Sequence, residues 1–154
     1  MKPSERLASL DMELPAVAAP VANYVPAIRT GNWVLTSGQI PTRDGKLVHV
    51  GKVPNDVSVD GATEAASICI LNAVAAAAQA AGGIDNITRV IRVGVFVCSG
   101  PGFTEQPKVA NGASDLLVKI FGDAGRHVRA AVGVPELPLN AAVEVDLQVE
   151  VSGA

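Results

Sequence analysis

The segment from Ala65 to Ile84 is twenty residues long, carries no charge and consists mostly of alanine. Asp60 can cap a helix that enters this segment, and Gly82-Gly83 can end it. Small side chains recur along it at spacings of three and four and so share one helix face: Ala65, Ala66, Cys69, Ala73, Ala76, Ala77 and Ala80. The segment therefore predicts a helix whose axis lies close to a β-sheet.

The same segment is long enough to raise the question of a membrane span. Ser67, Asn72 and Gln79 interrupt it, and alanine is too weakly apolar to carry a span. The first fifteen residues, MKPSERLASLDMELP, are charged and lack the apolar run of a secretory signal. We therefore expect no membrane segment and a cytoplasmic location.

The rest of the composition indicates a single domain with a core of small aliphatic residues. The 154 residues include 24 alanines and 23 valines, and 3% are aromatic. A chain of this length buries about two thirds of its extended surface without disulfides or a structural metal. Cys69 and Cys98 lie in apolar runs, which predicts reduced core cysteines and no metal site. A net charge of −3 without a basic run argues against nucleic acid as a partner.

Periodicity and turn residues predict the elements on either side of the helix. A β-hairpin is expected from Val21 to Gln39, around Thr30-Gly31-Asn32, and a looser one from Pro41 to Asp60. The run Ile87–Cys98, rich in valine and isoleucine, predicts a strand in the middle of a sheet. A second helix is expected to start near Thr104 to Pro107 and to end at Gly122.

The chain closes with two strands, His127–Val134 and Ala141–Val151, which we expect to form a hairpin. In the expected register Arg129 lies directly opposite Glu144 on the face away from the core. Four side chains of the first strand then point to the core: Val128, Ala130, Val132 and Val134. The architecture is α+β, a mixed β-sheet with two helices packed on one face. Its uncovered, half-apolar second face predicts a homo-oligomer.

Arg129 and Glu144 allow two interpretations in this register. As a cross-strand ion pair on a solvated face they contribute about 0.2 to 1 kcal/mol. Alternatively, the guanidinium of Arg129 binds a substrate carboxylate while Glu144 holds or deprotonates a water molecule beside it. His49 and His127 lack the spacing of a base and its nucleophile, so we expect both at the surface or an interface.

Six short segments between residues 17 and 151 together carry a family resemblance. They are Ala22–Pro26 (ANYVP), Gly31–Pro41 (GNWVLTSGQIP), Val95–Val97, Arg129–Val132 (RAAV), Leu137-Pro138 and Val143–Val145. This set resembles the YjgF/Rid family of reactive-intermediate deaminases. The resemblance implies a chorismate-mutase-like (bacillus type) fold and a homotrimer with its sites between subunits. It also implies hydrolysis, without a cofactor, of enamine or imine intermediates of 2-oxo acids, of the 2-iminobutanoate and 2-iminopropanoate type, with release of ammonia.

By position, the resemblance assigns candidate site residues. Arg129 corresponds to the family arginine that binds the substrate carboxylate, and Glu144 corresponds to the acid that positions the attacking water. The residues that correspond to the lining of the cleft are Tyr24, Ser37 and Gly38. Asn111 corresponds to a helix-borne asparagine, although Ser114 competes for that role because this chain carries about one extra turn of helix there.

The chain departs from the family pattern at three places. Ala131 stands where the family often has cysteine, the loop from Thr42 to Val59 is longer, and residues 1–16 form an N-terminal extension to the domain 17–154. These differences bear on the choice of substrate and leave a second interpretation open. In it the protein binds a 2-oxo acid or a related carboxylate in the same clefts without catalysis, for example as a sensor.

Overall fold

The computed structural model describes residues 1–19 and 22–153, and within them three helices and seven strands. In chain order these are α1 Pro3–Ser9, β1 Ala27–Thr30, β2 Trp33–Thr36, β3 Thr42–Arg43, β4 Lys46–Leu47, α2 Val59–Ala81, β5 Ile87–Cys98, α3 Gln106–Phe121, β6 Val128–Val134 and β7 Val143–Val151. Short 3₁₀ turns lie at Ile84–Asn86, Gly122–Gly125 and Pro138–Asn140. Val21, where the first hairpin was expected to begin, lies outside the described residues.

Five strands form one mixed sheet in the order β1-β2-β7-β5-β6. All neighbours are antiparallel except β5 and β6, which run parallel. The first hairpin is confirmed as β1 paired with β2, and the predicted strand Ile87–Cys98 is confirmed as β5 in the interior of the sheet. The second, looser hairpin consists of the two-residue strands β3 and β4 in a sheet of their own.

The helices α2 and α3 pack on one face of the five-stranded sheet, which confirms the α+β arrangement. The small-residue face of α2 is buried as predicted, apart from Ala80, which is half-buried. Ser58, and not Asp60, caps the helix, because the Ser58 hydroxyl accepts a hydrogen bond of 3.0 Å from the amide of Gly61. Gly82, with φ 81°, ends it. Although α2 is long and apolar enough to cross a membrane, 67% of its most apolar stretch is buried inside the fold, as in a core helix.

The predicted N-terminal extension is folded against the rest of the chain through α1. Leu7 is buried in the core cluster. Ser4 donates its hydroxyl (2.6 Å) and its amide (2.9 Å) to the carboxylate of Asp85, just before β5. These two hydrogen bonds lower the pKa of Asp85, the side-chain bond contributing more. Residues 3–9 thus add a third, short helix to the two that the sequence predicts.

The expected hairpin of the last two strands is wrong. β6 pairs in parallel with one side of β5, and β7 pairs antiparallel with the other, so that β5 separates them. Arg129 is in register with Val93, whereas Glu144 is in register with Phe96. The alternation of apolar and polar residues in β6 and β7 is compatible with pairing on either edge of β5. The eight residues that connect β6 to β7 are enough for the chain to cross from one edge of β5 to the other.

The expected orientation of the β6 side chains is wrong as well. Val128 and Val132 are 66% and 45% exposed, on the outer face of the sheet, and Ala130 lies between them beside Gly94. Val134, the fourth residue assigned to the core, is half-buried. The residues that share the helix-covered face with the buried valines of β5 are Arg129, Ala131 and Gly133. The apolar alternation of this edge strand therefore marks a surface that residues 1–19 and 22–153 leave exposed.

Gly112 brings α3 close to α2, and its replacement tests the packing of this layer. A Cβ atom at Gly112 would collide with the backbone oxygen of Thr63 in α2. Alanine in place of glycine within a helix normally stabilises by about 1 kcal/mol. For Gly112→Ala we instead expect a loss of about 1 to 3 kcal/mol in the free energy of unfolding, measured in urea. The control Asp115→Ala, at an exposed position of the same helix, should stay within about 0.5 kcal/mol.

Candidate functional site

Glu144 lies in a cleft of 460 Å³ between the β1-β2 hairpin and the turn that precedes β7. Tyr24, Gly38 and Gln39 come from the hairpin side, and Leu139 comes from the turn. Val17 to Ala19 close the cleft from the N-terminal side. Most of the lining is apolar, and Glu144 is the acid among the described lining residues, so the cleft can place a small molecule with its polar end at this carboxylate.

Gly38 allows the Glu144 carboxylate to sit against the β2 end of the cleft. A Cβ atom at Gly38 would lie 2.5 Å from Oε2 of Glu144 and 2.8 Å from its Cδ. Both contacts are far shorter than van der Waals distances, so any larger residue would push the carboxylate away. The glycine of the TSGQIP segment thus has a steric reason to be glycine that concerns Glu144 directly.

Burial raises the pKa of Glu144, and the neighbouring Asp146 raises it further. Desolvation is the larger cause, since the side chain is half-buried between the sheet and the hairpin. A carboxylate whose pKa is shifted toward neutrality accepts a proton more readily than an exposed one. This property suits a general base.

Ser37 supports the cleft from behind. Its hydroxyl donates a hydrogen bond of 2.6 Å to the carbonyl of Val25, and its amide donates one of 2.8 Å to the carbonyl of Pro26. Both bonds fix the chain directly after Tyr24, which is 51% exposed at the mouth of the cleft. Ser37 therefore stabilises the backbone next to Tyr24 through these two hydrogen bonds.

Arg129 and the helix α3 form a second cluster. Nη1 of Arg129 donates to Oδ1 of Asn111 (2.9 Å) and to Oγ of Ser114 (3.0 Å), and Nη2 donates to the carbonyl oxygen of Pro107 (3.4 Å). Asn111 and Ser114 are three residues apart and so lie on one face of α3. Asn111 and Ser114, the two candidates for the helix-borne position, thus both bind the same nitrogen of Arg129.

These contacts leave one edge of the Arg129 guanidinium free. A guanidinium has five N–H donors, and the two on Nη1 and one on Nη2 are used by α3. For the two others, on Nε and Nη2, residues 1–19 and 22–153 provide no acceptor. Nε and Nη2 share one edge of the guanidinium, the edge that can bind both oxygens of a carboxylate.

The two clusters lie far apart within one chain. Arg129 and Glu144 are separated by two strand spacings of about 4.8 Å and by three residues of about 3.3 Å, or roughly 14 Å between Cα atoms. In addition, Arg129 points to the helix-covered face and Glu144 points to the opposite one. One chain therefore cannot bring both groups onto one small substrate.

The comparisons with known proteins agree with this fold. A family model described as YjgF/chorismate_mutase-like, putative endoribonuclease, matches residues 4–151. The chain belongs to this family. The protein TCP17 of Trypanosoma cruzi is 45% identical to this chain over 147 residues, which cover 95% of this chain and 92% of TCP17.

Two further relatives differ in what their names say. The crystal structure of a putative endoribonuclease from Shewanella oneidensis has a TM-score of 0.94 and 38% identity, and covers 98% of this chain and 100% of that one. The 2-iminobutanoate/2-iminopropanoate deaminase of Dermatophagoides farinae is 28% identical over 132 residues, covering 86% of this chain and 88% of that protein. YjgF/chorismate-mutase-like membership thus confirms the resemblance and the fold, while the names do not agree on one activity.

Sequence reasoning missed two parts of these clusters. His127 was expected at the surface or an interface, yet it is half-buried and hydrogen-bonded to Ser114 at 2.9 Å. Leu139, which lines the Glu144 cleft, has φ 57° and is 76% exposed. A left-handed leucine has no signal in the local sequence. The contact of His127 joins residues thirteen positions apart and depends on the pairing of β6 with β5, which was predicted wrongly.

The raised pKa of Glu144 predicts a pH-dependent effect of Glu144→Gln on stability. The pKa of Glu144 is higher in the folded protein than in the unfolded chain. Ionisation of this half-buried carboxylate therefore lowers the free energy of unfolding of the parent as the pH rises above the unfolded pKa, and has no effect well below it. The free energy of unfolding of Glu144→Gln, relative to the parent, should therefore be higher at pH 7.5 than at pH 4. Urea unfolding at both pH values measures this, with the exposed Glu13→Gln as control. A difference that is equal at both pH values would contradict it.

Proposed function

We propose that this protein is a cofactor-independent deaminase that hydrolyses enamine or imine intermediates of 2-oxo acids. The observation that carries the proposal is the free edge of Arg129, which α3 holds in the geometry of a carboxylate fork. The relative named as a 2-iminobutanoate/2-iminopropanoate deaminase supports the choice of substrate. In this protein Cys69 and Cys98 are buried and form no disulfide, which fits a reducing compartment. We therefore propose a cytoplasmic location.

The chemistry that we propose needs two charged groups and water. Arg129 binds the carboxylate of the substrate and so fixes the neighbouring C=N carbon. Water adds to that carbon and gives a proton to Glu144. Glu144 returns the proton to the nitrogen. As the C–N bond breaks, the hydroxyl group of the adduct gives its proton to Glu144 and becomes the carbonyl, so the products are the 2-oxo acid and ammonia. An enamine enters the same sequence once its carbon is protonated to the imine. Tyr24 and the apolar walls of the cleft enclose the remainder of the substrate.

The proposed site lies between two copies of the chain. Because Arg129 and Glu144 are on opposite faces of one sheet, a complete site needs Arg129 of one subunit and Glu144 of another. A ring of three identical subunits supplies three such sites through one repeated contact. We therefore propose a homotrimer, in agreement with the family resemblance.

The outer face of the sheet is the surface that we propose for this assembly. It presents Ile28, Trp33, Val128 and Val132, which are between 45% and 66% exposed. The two pairs, Ile28 with Trp33 and Val128 with Val132, lie toward opposite edges of the sheet, on either side of the polar outward side chains of β7. Exposed apolar side chains of this size favour an interface. In the proposed assembly a neighbouring subunit, and not the core of the same chain, covers the apolar side chains Val128 and Val132 of β6.

A nucleolytic activity is the alternative that the family description names. The chain carries 12 basic and 15 acidic side chains and few aromatic residues on which bases could stack. These features favour a small anionic substrate over RNA. An RNA cleavage assay alongside the deaminase assay separates the two activities.

Activity should depend on both charged groups. With 2-iminobutanoate generated in situ, Arg129→Ala should lower kcat/KM at least thirtyfold, because truncating one partner of a charged hydrogen-bonded pair costs about 2 to 5 kcal/mol. Glu144→Gln should lower kcat, since the amide cannot accept the proton. The exposed Arg126→Ala, next to the same strand, serves as the control and should retain activity. Saturable binding of 2-oxobutanoate without turnover in the parent would indicate the non-catalytic binding protein instead.

A mixture of two inactive variants tests the shared site. In trimers assembled from equal amounts of Arg129→Ala and Glu144→Gln chains, about a quarter of the sites combine an intact Arg129 with an intact Glu144. Co-expression should therefore restore about a quarter of the parental activity, although each variant alone has almost none. If both groups acted within one chain, or if they did not share a site, the mixture would stay inactive.

Disruption of the outer face should remove assembly and activity together. Val132→Asp places a charge on the exposed apolar face, 45% exposed in the single chain, and costs the fold itself little. We expect the mass in solution to fall to that of one 15.7 kDa chain, measured by light scattering, with loss of deaminase activity. Lys108→Asp, an exposed change on α3, should leave the mass unchanged. A fully active monomer would overturn the shared site.

A further inference from the structure

A chain of hydrogen bonds links Arg129 to the backbone through two side chains. Nη1 of Arg129 donates to Oγ of Ser114 at 3.0 Å. Oγ of Ser114 lies 2.9 Å from Nε2 of His127, and Nδ1 of His127 lies 2.6 Å from the carbonyl oxygen of Gly125. Ser114 and His127 are both half-buried. The function proposed above uses Ser114 as a contact of Arg129 and makes no use of His127.

The direction of each hydrogen bond follows from the donors and acceptors present. A carbonyl oxygen can accept but cannot donate, so Nδ1 of His127 carries the proton. In the neutral ring Nε2 is then an acceptor, and the Ser114 hydroxyl must donate to it. With its proton committed to His127, the Ser114 oxygen presents its lone pairs to Arg129. His127 thereby makes Ser114 an acceptor for the guanidinium.

Without His127, Ser114 would have another partner within its own helix. Serine in a helix commonly donates to the carbonyl oxygen four residues earlier, which for Ser114 belongs to Ala110. That rotamer would turn the oxygen away from the position it holds at 3.0 Å from Nη1. Asn111 would then be the single side chain that holds Nη1, and the guanidinium could rotate about its long side chain.

We propose that His127 is a positioning residue that, through Ser114, fixes the free edge of Arg129 toward the substrate carboxylate. This inference rests on the proposed function for the identity of the anion, although the orientation of Arg129 is a separate claim. The relay uses both Nη1 hydrogens for α3, with Asn111 as the second acceptor, and so leaves the Nε and Nη2 donors together for the carboxylate.

The test compares three variants with the parent: His127→Leu, His127→Gln and Ser114→Ala. Loss of one neutral hydrogen bond corresponds to about a fivefold change in an equilibrium constant. His127→Leu and Ser114→Ala should therefore each raise the Kd for 2-oxobutanoate, measured by calorimetry, and KM for 2-iminobutanoate about fivefold. The kcat should stay within about twofold, because the carboxylate is held equally in the ground and transition states. His127→Gln, whose amide oxygen can accept from Ser114, should restore values near those of the parent.

The double variant Ser114→Ala/His127→Leu separates a relay from a general structural effect. If His127 acts through Ser114, adding His127→Leu to Ser114→Ala should change Kd less than about twofold further. Equal losses in both backgrounds, or a His127→Gln variant as weak as His127→Leu, would overturn the proposal. Thermal unfolding of each variant identifies any that do not fold, and Ser114→Ala provides the decisive comparison if His127→Leu is among them.

Nitrogen NMR keeps this proposal distinguishable from the proposed function. The His127 ring should show a protonated Nδ1 and an unprotonated Nε2. The Nε–H signal of Arg129 should be sharp in the parent and His127→Gln and broadened in His127→Leu. If the parent neither binds 2-oxobutanoate nor turns over the imine, the deaminase proposal fails while these signals still decide the relay. An unchanged Arg129 signal in His127→Leu would overturn the relay.

Discussion

The pairing of β5 with two different partners is the constraint on which the rest of the structure depends. Because β6 binds one edge of β5 in parallel and β7 binds the other edge antiparallel, the closing strands are held apart. Their registers then decide which side chains face the helices. Arg129 shares the face of Val93 and meets α3, whereas Glu144 shares the face of Phe96 and meets the β1-β2 hairpin. The two clusters of charged residues are thus consequences of strand order.

Small residues between the layers bring α3 into reach of Arg129. Gly112 lets α3 approach α2, and a Cβ at Gly125 would collide with the backbone oxygen of Leu117 at the end of α3. The carbonyl oxygen of Gly125 is the acceptor for Nδ1 of His127. Small residues therefore fill the core, and at Gly112 and Gly125 they also allow the close backbone contacts around α3, the helix that binds Arg129. Packing and site geometry are linked through a few positions where a methyl group does not fit.

The sequence predicts local structure well and pairing poorly in this chain. The Ala-rich face of α2, the bounds of β5 and the first hairpin follow from periodicity and turn residues. The predicted cap of α2 was two residues too late. Ser58 and Asp60 are both good capping residues, and the extended backbone conformation at Ser58 is what makes it the cap. The closing hairpin was wrong because alternation in β6 reports that one face is apolar, and it cannot report whether the core or another molecule covers that face.

The same distinction applies to the candidate site. The residues came from short segments, and the structure brings Tyr24, Gly38 and Glu144 to one cleft and Asn111, Ser114 and Arg129 to one helix face. The expected pairing of Arg129 with Glu144 within one chain is wrong, because the two side chains lie on opposite faces of the sheet. The proposed assembly would account for the exposed valines of β6, because one contact between subunits would cover the outer face and bring the two halves of the proposed site together. In the proposed assembly, burial of the outer face supplies the free energy that brings Arg129 of one subunit to Glu144 of the next.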